Sequence, residues 1–133
     1  MALYLPDTNA FSRHMRGDDR GLSARFAAEF IHVRLSAVVL AELEFGAAKS
    51  AFARHRSRLD GLLATIPVEP FTQGDAAAYG RLRAALQRRG DMIGPLDALI
   101  AAHALRLGAT VVTHNLREFH RVPGLKVEDW QST

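Results

Sequence analysis

The 133-residue sequence has no cysteine, only two lysines and a single tryptophan. No disulfide framework is open to it. No apolar stretch approaches the roughly 20 residues that a membrane-spanning helix needs, and the opening MALYLPD lacks the basic and long apolar regions of a secretory signal. The expectation is a soluble, cytoplasmic protein with no membrane partner. Internal repeats, low-complexity tracts and Pro/Ser-rich linkers are also missing, so residues 1–133 are expected to form a single domain around one core.

In place of lysine there is arginine. Every basic residue other than Lys49 and Lys126 is an arginine, and the formal net charge is +3. Guanidinium forks pair bidentately with phosphate and stack on bases, so a nucleic-acid partner is permitted. An arginine-rich genome composition produces the same bias, and charge alone does not decide the partner.

Short β-like runs fall at residues 2–5, 32–35, 65–68, 110–113 and 125–128, separated mostly by segments of helical period. Strands alternating with helices predict an α/β fold whose central parallel sheet is covered on both faces. Helix ends are legible too. Ser36 can cap VVLAELEFGAA, Thr72 with Asp75 makes a T-x-x-D box before AAAYGRLRAALQRR, and Gly90 closes that helix. Gly94-Pro95 opens LDALIAAHALRL, with Gly108 placed to end it. Further helical stretches are expected near 11–15, 22–30 and 51–63. In such a sheet, chemistry gathers beyond the carboxyl ends of the strands. Asp7 follows the first strand in LYLPDTN, and His114-Asn115 follow TVVT, so Asp7 and Asn115 share a crevice if those strands are neighbours.

Three acids stand where a fold seldom places one. Asp7 ends a strand. On the helix from Ala37, Glu42 falls about 40° round from Val38, on the apolar face beside Gly46, whereas Glu44, near 240°, is an ordinary solvated acid. On the helix from Gly94, Leu96, Ile100 and Leu107 are expected to make the apolar stripe, with Asp97 about 100° from Leu96 and flanked by Ala101 and Ala104. Asp97 also occupies the first turn, where the helix dipole favours any acid. Two unit charges about 4 Å apart repel by roughly 4 kcal/mol at an effective dielectric of 20, and a divalent cation relieves that repulsion. All-oxygen ligation suits Mg²⁺ or Mn²⁺, which can activate water and hold it in line with a phosphodiester. Asn115 and Glu118 can join the site or form a capping box of their own, since N-x-x-E serves both. Thr8, Asn9 and Thr113 are short polar residues able to orient carboxylates or water, and each is equally a good turn or cap residue.

The segments LPDTN, AELEFGA, GPLDALIAAHA and VTHNLREFHRVPGLKVEDW, in this order and across essentially the whole chain, resemble the PIN-domain toxins of bacterial VapBC toxin–antitoxin pairs. The resemblance implies a small α/β/α sandwich with a parallel sheet of about five strands, a Mg²⁺- or Mn²⁺-dependent endoribonuclease, and a homodimer. It also implies silencing by a cognate antitoxin, with operator DNA bound only through the toxin–antitoxin complex. Carried over by residue, Asp7 and Asp97 resemble the principal metal ligands and Glu42 the third acid. Asn115 stands where the family often has a fourth acid, which leaves Glu118 the nearest carboxylate and implies one well-held metal, a second arriving with RNA. Pro6 departs from the apolar residue common before the aspartate, and, lacking a ladder donor, it is expected to end the pairing of the first strand. The later segments look most like toxins that cut the anticodon stem-loop of initiator tRNA. Arg13, Arg16, Arg81 and Arg88, with the arginines at 54, 56, 58, 83 and 89, are candidates for phosphate contacts.

Rival readings fit less well. A phosphoaspartyl phosphatase wants a second acid two residues after the first, where Asn9 stands, and a receiver-like domain wants an acidic pair and a late lysine that are missing. A non-catalytic module acting through protein or DNA binding would be free to lose Asp7, Glu42 and Asp97. Zinc is disfavoured because His103, His114 and His120 lack the i, i+4 pairing of H-E-x-x-H sites, and His103 reads as a helix-surface residue.

Overall fold

The computed structural model describes residues 2–132, among which five short strands alternate with seven α-helices. In chain order these are β1 (Tyr4–Pro6), α1 (Thr8–Arg16), α2 (Arg20–Ala28), β2 (Leu35–Ser36) and α3 (Ala37–Lys49). There follow α4 (Ala53–Leu63), β3 (Val68–Glu69), α5 (Gln73–Arg88), α6 (Pro95–Leu107), β4 (Thr110–Val112), α7 (Leu116–Phe119) and β5 (Lys126–Glu128). A single 3-10 turn, Phe30–His32, leads into β2.

All pairings are parallel. β1, β4 and β5 form one ladder in the order β1-β4-β5, and β2 pairs with β3. A bridge between Tyr4 and Val33, with the Arg34 N–H donating to the Tyr4 carbonyl at 2.9 Å, joins the two pieces. The resulting order β3-β2-β1-β4-β5 reverses direction between β1 and β4, which is where an open parallel sheet leaves a crevice at its carboxyl edge.

Helix ends follow the sequence signals closely. Thr72 and Asp75 make the reciprocal capping box of α5, the Ser36 hydroxyl accepts from the Val38 N–H at the start of α3, and Gly108 ends α6 at φ 65°, a left-handed conformation that glycine adopts without penalty. The alanines of α6 let it lie against the sheet, where Ala98, Ile100, Ala101 and Ala104 are buried beside Leu5, Val111 and Val112. Leu96 departs from the expected stripe. It is 45% exposed, because the face of α6 that meets the sheet is built from these small residues, with the first turn left at the rim.

Two further expectations are corrected. His103 is wholly buried, not on the helix surface: its Nδ1 lies 2.9 Å from the Ser36 hydroxyl, and its ring meets Phe71 edge-on. Pro6 does not end strand pairing, since it stays in register with Val112 and the Asp7 N–H still donates to the Val112 carbonyl at 2.9 Å. Leu3 and Asp7 bond toward β4 and Tyr4 toward β2, so by strand alternation the donor that Pro6 lacks would face the β2 side, beyond the single bridge that joins it.

Candidate active site

The last rung of the β1-β4-β5 ladder pairs Pro6, Val112 and Glu128. The next residues along the carboxyl edge are therefore Asp7, Thr113 and Asp129, with the Thr113 N–H donating to the Glu128 carbonyl at 2.9 Å. Asp7 is buried, and its Oδ1 accepts the Ala10 N–H at 2.9 Å, so one carboxylate both caps α1 and faces the edge. Burial raises its pKa above the ordinary carboxylate value. Hydrogen bonds from the Thr113 hydroxyl and the Ala10 N–H oppose that shift, while the charge of Asp129 adds to it and that of His114 subtracts.

Opposite stands Asp97, in the first turn of α6 after Gly94 and Pro95. Burial, then a hydrogen bond and charge repulsion from Glu118, and then the charge of Asp7 push its pKa up to about 7. Glu118 moves down, because the Asp97 carboxyl donates to it and its other bonds favour the anion. Its Oε1 accepts the Gly94 N–H at 2.6 Å and its Oε2 accepts the Asn115 side-chain amide at 2.6 Å. A Cβ on Gly94 would lie 3.6 Å from Glu118 Oε1 and 3.7 Å from Asp97 Oδ2, so the two carboxyl groups converge on that glycine.

The N-x-x-E segment is thus not a capping box. The Asn115 N–H is taken by the Thr113 hydroxyl at 2.9 Å, its side chain makes no cap to α7, and Glu118 reaches across to Gly94. Thr113, Asn115 and Glu118 join Asp7 and Asp97 along one edge. Glu42 and Thr8 lie on a neighbouring cleft of about 420 Å³ between α1, α3 and α4, rimmed by Arg16, Lys49 and Arg58. Glu118, rather than Glu42, is the acid that presses on Asp97. Asn9 points to solvent.

Most of the arginines are engaged elsewhere. Arg13 and Arg16 pair with Asp18 and Asp19 in the turn after α1, and Arg56 bridges Glu44 and Asp60. Arg83 donates to the Tyr79 hydroxyl at 2.6 Å, and Arg89 donates to Asp91. Arg81 and Arg88 are exposed on α5, and Arg81 lines a groove with Arg89 and Arg106 near the C-terminal end of α6, whereas Asp97 lies in its first turn.

Two features escaped sequence reading. His114 Nδ1 is 2.8 Å from Asp129 Oδ2 at the same carboxyl edge, joining residues 15 apart. Register across β4 and β5 was the only signal that could have paired them. Asp75, read only as a cap, is wholly buried and also binds Arg106, with His103 Nε2 at 3.8 Å.

The donor set fits a hard divalent cation. Among the described residues no group of three acid, cysteine or histidine side chains makes a preformed metal cluster. A cation of the Mg²⁺ type needs no such cage, because it keeps several waters and takes one or two carboxylates together with substrate phosphate. Asp97, pressed by the charges of both Glu118 and Asp7, marks a place where crowded carboxyl oxygens favour a positive charge.

Comparison with known proteins agrees with this architecture. The chain belongs to the PIN-domain family, which matches residues 4–125. Within that family its relatives are VapC ribonucleases. It is 36% identical over 131 residues to the tRNA(fMet)-specific endonuclease VapC of Salmonella typhimurium, covering 98% of this chain and 99% of that protein. It is 35% identical over 131 residues to ribonuclease VapC2 of Rickettsia felis, covering 96% and 98% of the two chains. Among solved structures, DNA-bound VapBC from Salmonella typhimurium superposes with a TM-score of 0.92 at 35% identity, covering 98% of this chain and 99% of that one. VapBC2 from Rickettsia felis, bound to a DNA fragment from its promoter, gives 0.90 at 32% identity over 97% and 99%. PIN-domain ribonucleases of this kind depend on divalent metal. The α/β architecture with its parallel sheet is therefore the one read from the sequence.

Proposed function

We propose that this chain is the toxin of a type II toxin–antitoxin pair, a cytoplasmic endoribonuclease that cuts structured RNA by hydrolysis, with the anticodon stem-loop of initiator tRNA as its target. The supporting observation is the edge at the β1/β4 switch point, where Asp7, Asp97 and Glu118 are brought together by three separate elements. Asp7 and Asp97 would hold one Mg²⁺ or Mn²⁺, with Glu118 set against Asp97 and Glu42 reaching the site through water from the adjoining cleft. The bound ion supplies Lewis-acid polarisation of the scissile phosphate and an activated water.

The remaining groups set geometry. The Ala10 N–H holds the Asp7 carboxylate and the nearby Thr113 hydroxyl favours its charged form, while the Gly94 N–H and the Asn115 amide fix the two oxygens of Glu118. Loss of the Asp97 proton readies its carboxylate for the cation. A cognate antitoxin silences the enzyme, the toxin forms a homodimer, and operator DNA is bound only through the toxin–antitoxin complex. The relatives' names support the tRNA assignment, and the DNA-bound VapBC complexes support the partner assignment.

The test is purified protein on total tRNA with Mg²⁺, with Mn²⁺ and with EDTA, followed by sequencing of the new 5′ ends. Metal-dependent cuts clustered in one anticodon loop are expected. Equal cleavage in EDTA, or none in any metal, would overturn the proposal.

A further inference from the structure

His114 and Asp129 lie outside the acid set, yet they stand on the same carboxyl edge, one residue beyond and level with Thr113. Asp129 is firmly held. Its Oδ1 accepts the Gln131 N–H at 3.0 Å, and the residue after β5 that follows it, Trp130, is buried against Tyr4 and Phe26 with ring centroids 5.0 and 5.4 Å away. Trp130 also donates its indole N–H to Glu128 at 2.9 Å. Asp129 Oδ2 takes His114 Nδ1 at 2.8 Å. A carboxylate only accepts, so Nδ1 carries the hydrogen, and it is the neutral tautomer with hydrogen on Nδ1 that offers Nε2 as an acceptor on the side turned away from Asp129. The His114 side chain is 56% exposed, open to a ligand on the carboxyl edge that also carries Asp7.

What does such an acceptor recognise on a nucleic acid? Phosphate oxygens offer no hydrogen to it. The ribose 2′-hydroxyl does, and it is the group that separates RNA from DNA.

We propose that His114, aimed by Asp129, is a specificity-determining residue whose Nε2 accepts a hydrogen bond from a ribose 2′-hydroxyl next to the scissile phosphate. The inference rests on the ribonuclease reading above. Asp129 is a positioning residue, acting only through the ring it orients.

The test uses the full chain and a synthetic anticodon stem-loop of initiator tRNA. Single 2′-deoxy substitutions are placed in turn at each nucleotide flanking the mapped cut. Wild-type kcat/KM should fall about tenfold at one such position, the ordinary value of one lost hydrogen bond near 1.4 kcal/mol. His114→Ala should lose a similar factor on all-RNA substrate and show no further loss on the deoxy substrate, while Asp129→Ala falls between. The His114 side chain is exposed and the Asp129 side chain half-buried outside the core, and circular dichroism of both variants should match wild type. If His114→Ala cuts all-RNA substrate as well as wild type, or if the deoxy penalty is absent or unchanged in the variant, the inference is wrong. Absence of cleavage by wild type would count against the ribonuclease reading instead.

Discussion

Changing Glu118 to glutamine should flatten one part of the pH dependence of stability in the metal-free protein. The substitution keeps side-chain length and an oxygen for the Gly94 N–H, and removes the charge that pushes Asp97 up. In wild type, folded Asp97 keeps its proton up to about pH 7, whereas the unfolded chain releases it near 3.8. Folding thus takes up a proton across that window, and stability falls as pH rises through it. At about 1.4 kcal/mol per pKa unit the ceiling is about 4 kcal/mol. Solvent screening of a partly exposed group and the opposite shift of Glu118 reduce the expected net to about 1–2 kcal/mol. Urea unfolding in EDTA at about pH 5 and about pH 8 measures it. The quantity to compare is wild type minus Glu118→Gln, because burial lowers His14 and His103 and tilts both proteins the other way, each histidine favouring the folded state at higher pH. Saturating Mn²⁺ should restore wild type at high pH more than at low. Parallel pH profiles in the two proteins would refute the influence of Glu118 on Asp97.

Asp75→Ala should destabilise by about 3 kcal/mol in urea unfolding, since a buried carboxylate that caps α5 and binds Arg106 is removed in one step. Gly94→Ala should fold with near wild-type stability, because the added methyl meets only ordinary contacts at 3.6 and 3.7 Å. The methyl would stand against the two carboxyl oxygens, so the variant should need more Mn²⁺ for half-maximal RNA cleavage. Gly108→Ala should cost about 1 kcal/mol of stability with cleavage unchanged, as it strains a left-handed cap near the far end of α6.

Local signals carried much of this structure. The Thr72 box, the Ser36 cap and the Gly108 terminus depend on residues within a few positions of one another, and each forms as read. Asp7 and Asp97 were legible because an acid at a strand end and another on a small-residue helix are anomalies in themselves. Contacts between distant elements were less so. Periodicity alone turns Leu96 inward, but helix α6 buries its alanines, and periodicity carries no information about how closely a helix approaches a sheet. His103, with no i, i+4 histidine partner, reads as a helix-surface residue, although the Ser36 hydroxyl and the Asp75 carboxylate, 67 and 28 positions away in sequence, make its polar environment. Glu118 remained ambiguous until its carboxylate was seen crossing to Gly94, and the pairing of His114 with Asp129 depends on strand register.

The most direct measurement is the cleavage of total tRNA with Mn²⁺ by wild type, Asp7→Ala and Asp97→Ala, each shown by circular dichroism to be folded. Metal-dependent cutting by wild type, reduced to background in both variants, is the predicted result. Undiminished cutting by either variant would contradict the placement of the active site at this edge.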